Sequence, residues 1–182
     1  DAMRPQLLLL AAHLFLSARS SLDESALFVR VLAPAHLAYT YEIIPARFGP
    51  PLDAYRHTAW GVRLLAATIE ESCNGLADDA TGYVVIMPRG ECSFVEKVAH
   101  AAAAGARFAL VTEVNSSSSA TISMSRGEVD ADIHIPSAYM AGTSGSRLHR
   151  FLSFSNEPVL VDIPINATDV GILLDKAPWE IW

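Results

Sequence analysis

The sequence predicts a β-rich α+β fold with two or so short helices, and three observations carry that prediction. Short runs rich in Val, Ile, Tyr and Phe recur along the chain and end at prolines or polar turns, as strands do. One segment, Gly82 to Thr112, sets an apolar run, a helical period and a second apolar run in the order of a βαβ unit. The 182 residues are 51% hydrophobic, enough for one well-filled core and too few for two independent domains. The expected organisation is a signal-like segment over 1–20 and a single domain over 21–182.

In chain order, Met3 and Arg4 precede an apolar run from Leu7 to Leu16, broken only by His13, and then Ser17, Ala18, Arg19 and Ser20. A basic start, about 10 apolar residues and a small-residue exit describe a secretory signal, whereas a membrane-spanning helix needs about 20. The expectation is therefore secretion or delivery to a lumen, with no membrane span after cleavage. Leu27 to Pro34 and Tyr39 to Pro45 read as strands. Arg47 to Asp53 reads as a loop, since Gly49-Pro50-Pro51 cannot continue a ladder. Val62 to Ile69 is a weaker strand candidate.

Within the βαβ unit, Tyr83 to Met87 is the first strand and Pro88-Arg89-Gly90 the turn. Ser93 with Glu96 three residues on has the capping-box spacing, so the helix starts after Ser93. Phe94, Val98, Ala101 and Ala102 form its apolar stripe, Lys97 and His100 lie off it, and Gly105 stands where a left-handed C-terminal cap belongs. Arg107 to Thr112 returns as a buried strand. Asn115 to Asp132, with serines at 116 to 119, reads as an exposed, mobile loop. Ile133 to Met140 is a strand candidate containing Pro136, Thr143 to Ser153 a helix, and Val159 to Ile165 a strong strand.

The formal net charge of -7, with no basic stripe, excludes a nucleic-acid partner. Nucleophile-elbow, zinc-protease, P-loop and dinucleotide-binding motifs are missing, so no catalytic residue and no cofactor is assigned. Gly142-Thr143-Ser144-Gly145 has the wrong spacing for a nucleophile elbow and is read as a helix start, with Thr143 and Ser144 as caps. Asp130, Asp132 and His134 alternate, so on a strand they would share a face. That is the pattern of a metal site in a secreted hydrolase; the plain alternative is a solvated loop. His57, His100 and His149 stand isolated. Two cysteines, Cys73 and Cys92, favour one disulfide in a secreted chain, with two buried free thiols as the alternative. Asn115 and Asn166 head N-x-[ST] sequons, and Trp60, Trp179 and Trp182 are candidate interface or core anchors.

The stretch from Tyr83 through Arg89-Gly90-Glu91-Cys92-Ser93-Phe94 to Lys97, continuing to Gly105-Ala106 and Leu110-Val111, resembles the signature of the protease-associated domain family. Asp132 to Pro136 and Ile163 to Thr168 extend the resemblance. It implies a β-rich sandwich or open barrel flanked by short helices, with a disulfide joining Cys73 and Cys92. Such domains occur within peptidases, sorting receptors and membrane-bound ubiquitin ligases, where they bind proteins or peptides or cover a neighbouring active site. No peptidase, membrane-spanning or RING segment is recognised here. The expected role is thus a secreted, non-catalytic module that presents Arg89, Gly90 and Glu91 and the 115 to 132 loop to an unidentified protein or peptide. Its alternatives are the metal-dependent hydrolase and a structural subunit of a larger lumenal or extracellular assembly.

Overall fold

A computed structural model describes residues 26–52, 59–114 and 121–166. The 1–20 segment, His57, Asn115, Trp179 and Trp182 lie outside the described residues. Seven strands close into a barrel: β1 (Leu27–Ala33), β2 (Thr40–Pro45), β3 (Ala59–Ala66), β4 (Val84–Pro88), β5 (Phe108–Thr112), β6 (Ser137–Met140) and β7 (Val159–Asn166). Three short helices accompany them: α1 (Ile69–Asn74), α2 (Phe94–Ala103) and α3 (Gly142–Phe154). The expected β-rich α+β class is what the structure shows, and the sandwich-or-open-barrel expectation resolves into a closed barrel.

Around the barrel the order is β1-β2-β6-β5-β4-β3-β7, with β7 pairing back to β1. The β3–β4, β4–β5 and β5–β6 pairings are parallel, and the remaining pairings are antiparallel. Parallel neighbours need crossovers. α2 supplies the foreseen one from β4 to β5, and α1 supplies a second from β3 to β4, beginning at Ile69, where the expected strand was to end. The reason is local: Thr68 accepts from the Glu71 N-H and the Glu71 carboxylate from the Thr68 N-H, a capping box that starts a helix at Ile69.

One core fills the barrel with Val29, Val31, Ile43, Leu64, Ile86, Leu110, Val161 and their neighbours, and Leu148 of α3 packs into it. A second lies outside β4, β5 and β6, where Val85, Met87, Ala109 and Val111 meet α2. The segment expected to be an exposed loop contributes here. Met124 is fully buried, Ile122 and Val129 pack beside it, and the Arg47 N-H donates to the Met124 carbonyl at 2.9 Å. Four apolar residues among the polar ones, Ile122, Met124, Val129 and Ala131, explain why 121–132 folds down. β6 starts only at Ser137, because Pro136 has no N-H for the ladder.

α2 begins after Ser93 with both capping-box bonds in place. It ends as foreseen, with Gly105 at φ +83° and the Ala106 N-H reaching the Ala101 carbonyl and the Gly105 N-H the Ala102 carbonyl, a Schellman closure. Its buried face differs from the expected stripe: Val95, Lys97, Val98 and Ala101 are buried, while Phe94 is only partly covered. On the opposite side of the barrel Asp162 of β7 is buried. Its carboxylate accepts from Arg30 of β1 at 2.6 Å and from the Gly61 N-H of β3 at 2.8 Å, neutralising it across both neighbouring strands.

α3 approaches β5 and β6 closely at Gly145, where an added Cβ would lie 2.9 Å from Thr112 Cβ and 3.1 Å from Met140 Cγ. Gly145→Ala should therefore destabilise by about 1–3 kcal/mol, measured by urea unfolding. Adding Thr112→Ala should recover part of that loss, because it removes the crowding side chain and a hydroxyl that has no hydrogen-bond partner. Additive losses in the double variant would contradict the steric account.

Candidate functional site

The turn predicted at Pro88-Arg89-Gly90 starts one residue later, since Pro88 closes β4, and runs through Arg89, Gly90 and Glu91. The Arg89 N-H still donates to the Thr112 carbonyl at 2.9 Å, so the ladder with β5 runs one residue past the strand. The backbone then folds tightly. Gly90 has φ +117°, Glu91 φ +64°, and the Cys92 N-H donates to the Gly90 carbonyl at 2.8 Å, which makes Glu91 the centre of a three-residue γ-turn. A non-glycine residue at such a φ carries backbone strain. The disulfide to Cys73, formed as expected, holds the far side of the turn against the last turn of α1. Closing a loop of that length contributes about 3 kcal/mol in the chain-entropy account.

The Arg89 side chain reaches across to the end of β5. Its Nη1 donates to Glu113 Oε2 at 2.9 Å, just beyond the end of β5. Glu113 is 7% exposed, and its carboxylate also accepts from the Tyr139 hydroxyl of β6 at 3.2 Å and from the Val114 N-H at 2.9 Å. Although burial opposes its charge, Arg89 is held above its ordinary pKa by the Glu113 carboxylate. Burial first, and then the same carboxylate, push the Tyr139 phenol up. The Arg89 side chain nevertheless stays 40% exposed, so it is both a structural ion-pair partner and a surface group.

A second polar cluster lies beneath the disulfide, where sequence reasoning placed nothing. Lys97 is fully buried, and its ammonium donates to Ser72 Oγ at 2.9 Å and lies 3.3 Å from Cys73 Sγ. His100 Nδ1 sits 3.0 Å from the Ser72 carbonyl. Lys97 and His100, expected off the packed stripe, thus join α2 to α1. No periodicity within α2 signals this, because the acceptors belong to another helix. Burial lowers the Lys97 pKa from the ordinary 10.5, against the pull of the Glu91 and Glu96 carboxylates.

The alternating Asp130, Asp132 and His134 do not form a site. His134 Nε2 lies 3.5 Å from Asp132 Oδ2, yet both side chains are largely exposed. Among the described residues no group of three His, Cys, Asp or Glu side chains is close enough to hold a metal ion. Alternation requires a strand, and β6 does not begin until Ser137. Thr143 and Ser144 do not cap α3 either. The N-cap is Ala141, without a side-chain bond, and the two hydroxyl residues lie within the first turn. Asn166 is the last residue of β7, half-buried and paired with Leu27. Trp60 is 62% exposed on β3, with the Arg30 guanidinium 6.0 Å from its ring centre.

Beside the Arg89–Glu113 pair the structure opens a cleft of about 540 Å³ between α3 and the ends of β4 and β5. That volume falls within the range of small-ligand pockets. Glu113, Pro88 and Val114 line the strand side, Thr68 and Ile69 one end, and Ser146, Arg147, His149 and Arg150 the α3 wall. His149 Nε2 lies 2.8 Å from the Ala67 carbonyl, so that nitrogen carries its hydrogen and donates. The sequence signal for this wall is the run Arg147, His149 and Arg150, of which only His149 is singled out in the sequence.

Two outcomes follow from these clusters. Arg89→Ala leaves the Glu113 carboxylate buried without a cation and should destabilise by about 1–3 kcal/mol in urea unfolding; an unchanged midpoint would show that the pair is not structural. For Lys97, the folded pKa lies below the unfolded one, so just below pH 10.5 the unfolded chain holds more protons at this site. Raising the pH into that window therefore favours the fold. The stability of the wild type relative to Lys97→Met should rise as the pH approaches 10.5 from below, and a difference that stays flat or falls there would contradict the assignment.

A sequence model of the PA domain matches residues 51–148. The PRADC1-like protein of Drosophila melanogaster is 33% identical over 163 residues, covering 85% of this chain and 82% of that protein. Signal peptide peptidase-like 2 of Arabidopsis thaliana is 32% identical over 151 residues, 76% of this chain and 28% of that protein. E3 ubiquitin-protein ligase RNF13 of Homo sapiens is 29% identical over 133 residues, 69% of this chain and 34% of that protein. Among solved structures, an aminopeptidase from Aneurinibacillus sp. strain AM-1 superposes with a TM-score of 0.59 at 16% identity, over 79% of this chain and 31% of that one. A zinc aminopeptidase from Bacillus subtilis gives 0.54 at 19%, over 76% and 30%. At those identities the two aminopeptidases share the fold alone.

Proposed function

The chain belongs to the PA domain family, and from that premise we propose that it works as a non-catalytic protein- or peptide-binding module of the secretory pathway or the extracellular space. The observation that carries the reading is the cleft beside Arg89. It is preformed, it is lined by Pro88 and by the Glu113 that pairs with Arg89, and its walls come from rigid strand ends and a helix.

Binding rather than chemistry is supported by how the polar groups at the cleft are engaged. The Glu113 carboxylate already accepts from Arg89, Tyr139 and the Val114 N-H, and His149 Nε2 is engaged with the Ala67 carbonyl. A general acid or base needs a proton site facing substrate. Secretion is supported by the 1–20 pattern, by the disulfide, which belongs to an oxidising compartment, and by the sequons at Asn115 and Asn166. Among the described residues no helix is long and apolar enough to cross a membrane.

Expressed in secreting cells, the protein should reach the medium, and a photo-crosslinking residue at Glu91 should capture a reproducible protein partner. Arg89→Gln, folded by circular dichroism, should reduce that capture at least several-fold. A captured set indifferent to Arg89→Gln would overturn the assignment of the binding face. Cleavage of a quenched peptide library by the purified chain would overturn the non-catalytic reading.

A further inference from the structure

We propose that the bond between Cys73 and Cys92 is a reducible latch: a dithiol reductant opens it, Cys73 leaves as a thiolate against the Lys97 ammonium, and the signature turn comes free of α1. Lys97 is fully buried, and its Nζ lies 3.3 Å from Cys73 Sγ. In the oxidised protein that cation meets only a hydroxyl, Ser72 Oγ at 2.9 Å, and no carboxylate among the described residues pairs with it. Reduction places the missing anion at that distance. Opposite charges held away from water attract more strongly than in solvent, so the ammonium favours the thiolate form over the uncharged disulfide. A disulfide whose reduced form is stabilised is the readily reducible kind.

The surroundings leave this bias in place. On α2 the His100 Nδ1 is bound to the Ser72 carbonyl, and Glu96 accepts from the Ser93 N-H in its capping box. On α1 Glu71 accepts from the Thr68 N-H, while Glu70, like Glu91 in the turn, is exposed to water. β4 and β5 bring no charge to the cluster, and Arg89 is committed to Glu113. Both cysteines are half-buried, so the bond is not sealed from a reductant.

In the first step a thiolate of the reductant attacks Cys92 Sγ, and the disulfide's electron pair leaves on Cys73 Sγ, since the lower-pKa sulfur leaves faster. The reductant's second thiolate then displaces Cys92. Two electrons pass to the protein and the dithiol becomes a disulfide; of its two protons, one ends on Cys92 and the other in solvent. The opening is local. β4 keeps its ladder with β5 and α2 its capping box, neither of which involves a cysteine, whereas Glu91, strained at φ +64°, is free to relax. The latch thus governs the turn that carries Arg89, Gly90 and Glu91. Its test reads thiols and amides, so it and the binding reading can fail separately.

The whole chain is reduced with dithiothreitol and alkylated with iodoacetamide across a pH series, each cysteine being followed by peptide mass spectrometry. The alkylation midpoint of Cys73 should lie at least one pH unit below that of Cys92, and Lys97→Met should raise it by at least one unit. In glutathione buffers Lys97→Met should favour the disulfide at least tenfold more than the wild type does, about 30 mV for two electrons. Glutathione trapped part-way should sit on Cys92. Hydrogen exchange of the reduced wild type should lose protection over 69–75 and 89–93 and keep it in β4 and β5. If Lys97→Met fails to fold, the two wild-type midpoints decide. Equal midpoints, an adduct on Cys73, unchanged exchange on reduction, or protection lost throughout the barrel would each overturn the inference.

Discussion

A carboxylate removed from water has to be neutralised where it stands, and around Glu113 that requirement ties three strands together. The group follows β5, draws the guanidinium at the end of β4 and accepts from a phenol on β6. Strands that run parallel deliver their carboxyl ends to the same rim, so one buried acid reaches all three. Arg89 is thereby held in one place while part of it still meets solvent. The cleft inherits this order, since its strand side is built from the residues that the network fixes.

The other half of the signature turn is held by different chemistry. The disulfide joins the turn to α1, and beneath it the buried Lys97 finds an acceptor on α1 instead of a counter-ion. Burying an ammonium carries a desolvation penalty, offset here by the Ser72 hydroxyl and by the acidic residues nearby. The turn between β4 and α2 is thus clamped from below by a covalent bond and from the side by an ion pair. Its strained γ-turn at Glu91 is over-determined by its surroundings, the condition under which such strain persists.

Much of the fold was legible in the sequence wherever the signal was local. Ser93 with Glu96 and Gly105 mark both ends of α2, and the apolar runs on either side mark β4 and β5. Thr68 with Glu71 carries the same N-terminal signature, but α1 lasts only six residues, too few to display a period against the strand before it. What escaped the reading is non-local. Lys97 is buried because Ser72 arrives from another helix, Glu113 because Arg89 and Tyr139 arrive from other strands, and Met124 because a polar-looking segment lies across a second core. The basic wall of the cleft escaped for a related reason: the concavity it faces exists only once α3 is laid against β4 and β5. The Asp130, Asp132 and His134 pattern shows the converse, since alternation in sequence gathers side chains only where a strand forms.

Family membership places this rim in a wider setting without transferring an activity. The chain spans 82% of the Drosophila protein but about a third or less of the ligase, the peptidase-like protein and the aminopeptidases, so what those longer proteins do belongs to them. Closure of the barrel has its own bearing on recognition. With β7 paired to both β1 and β3, and β2 paired to β6, every named strand has two neighbours. Among the described strands an incoming chain finds no fully open edge, only the one-sided stretches 40–43 of β2 and 59–63 of β3, so strand addition, the commonest way a sheet captures a peptide through main-chain bonds, and the edge-to-edge aggregation that open sheets risk have little ladder to work on. A partner of the kind proposed would then be read mainly by side chains at the rim, where a few substitutions could change it while the barrel beneath stays the same.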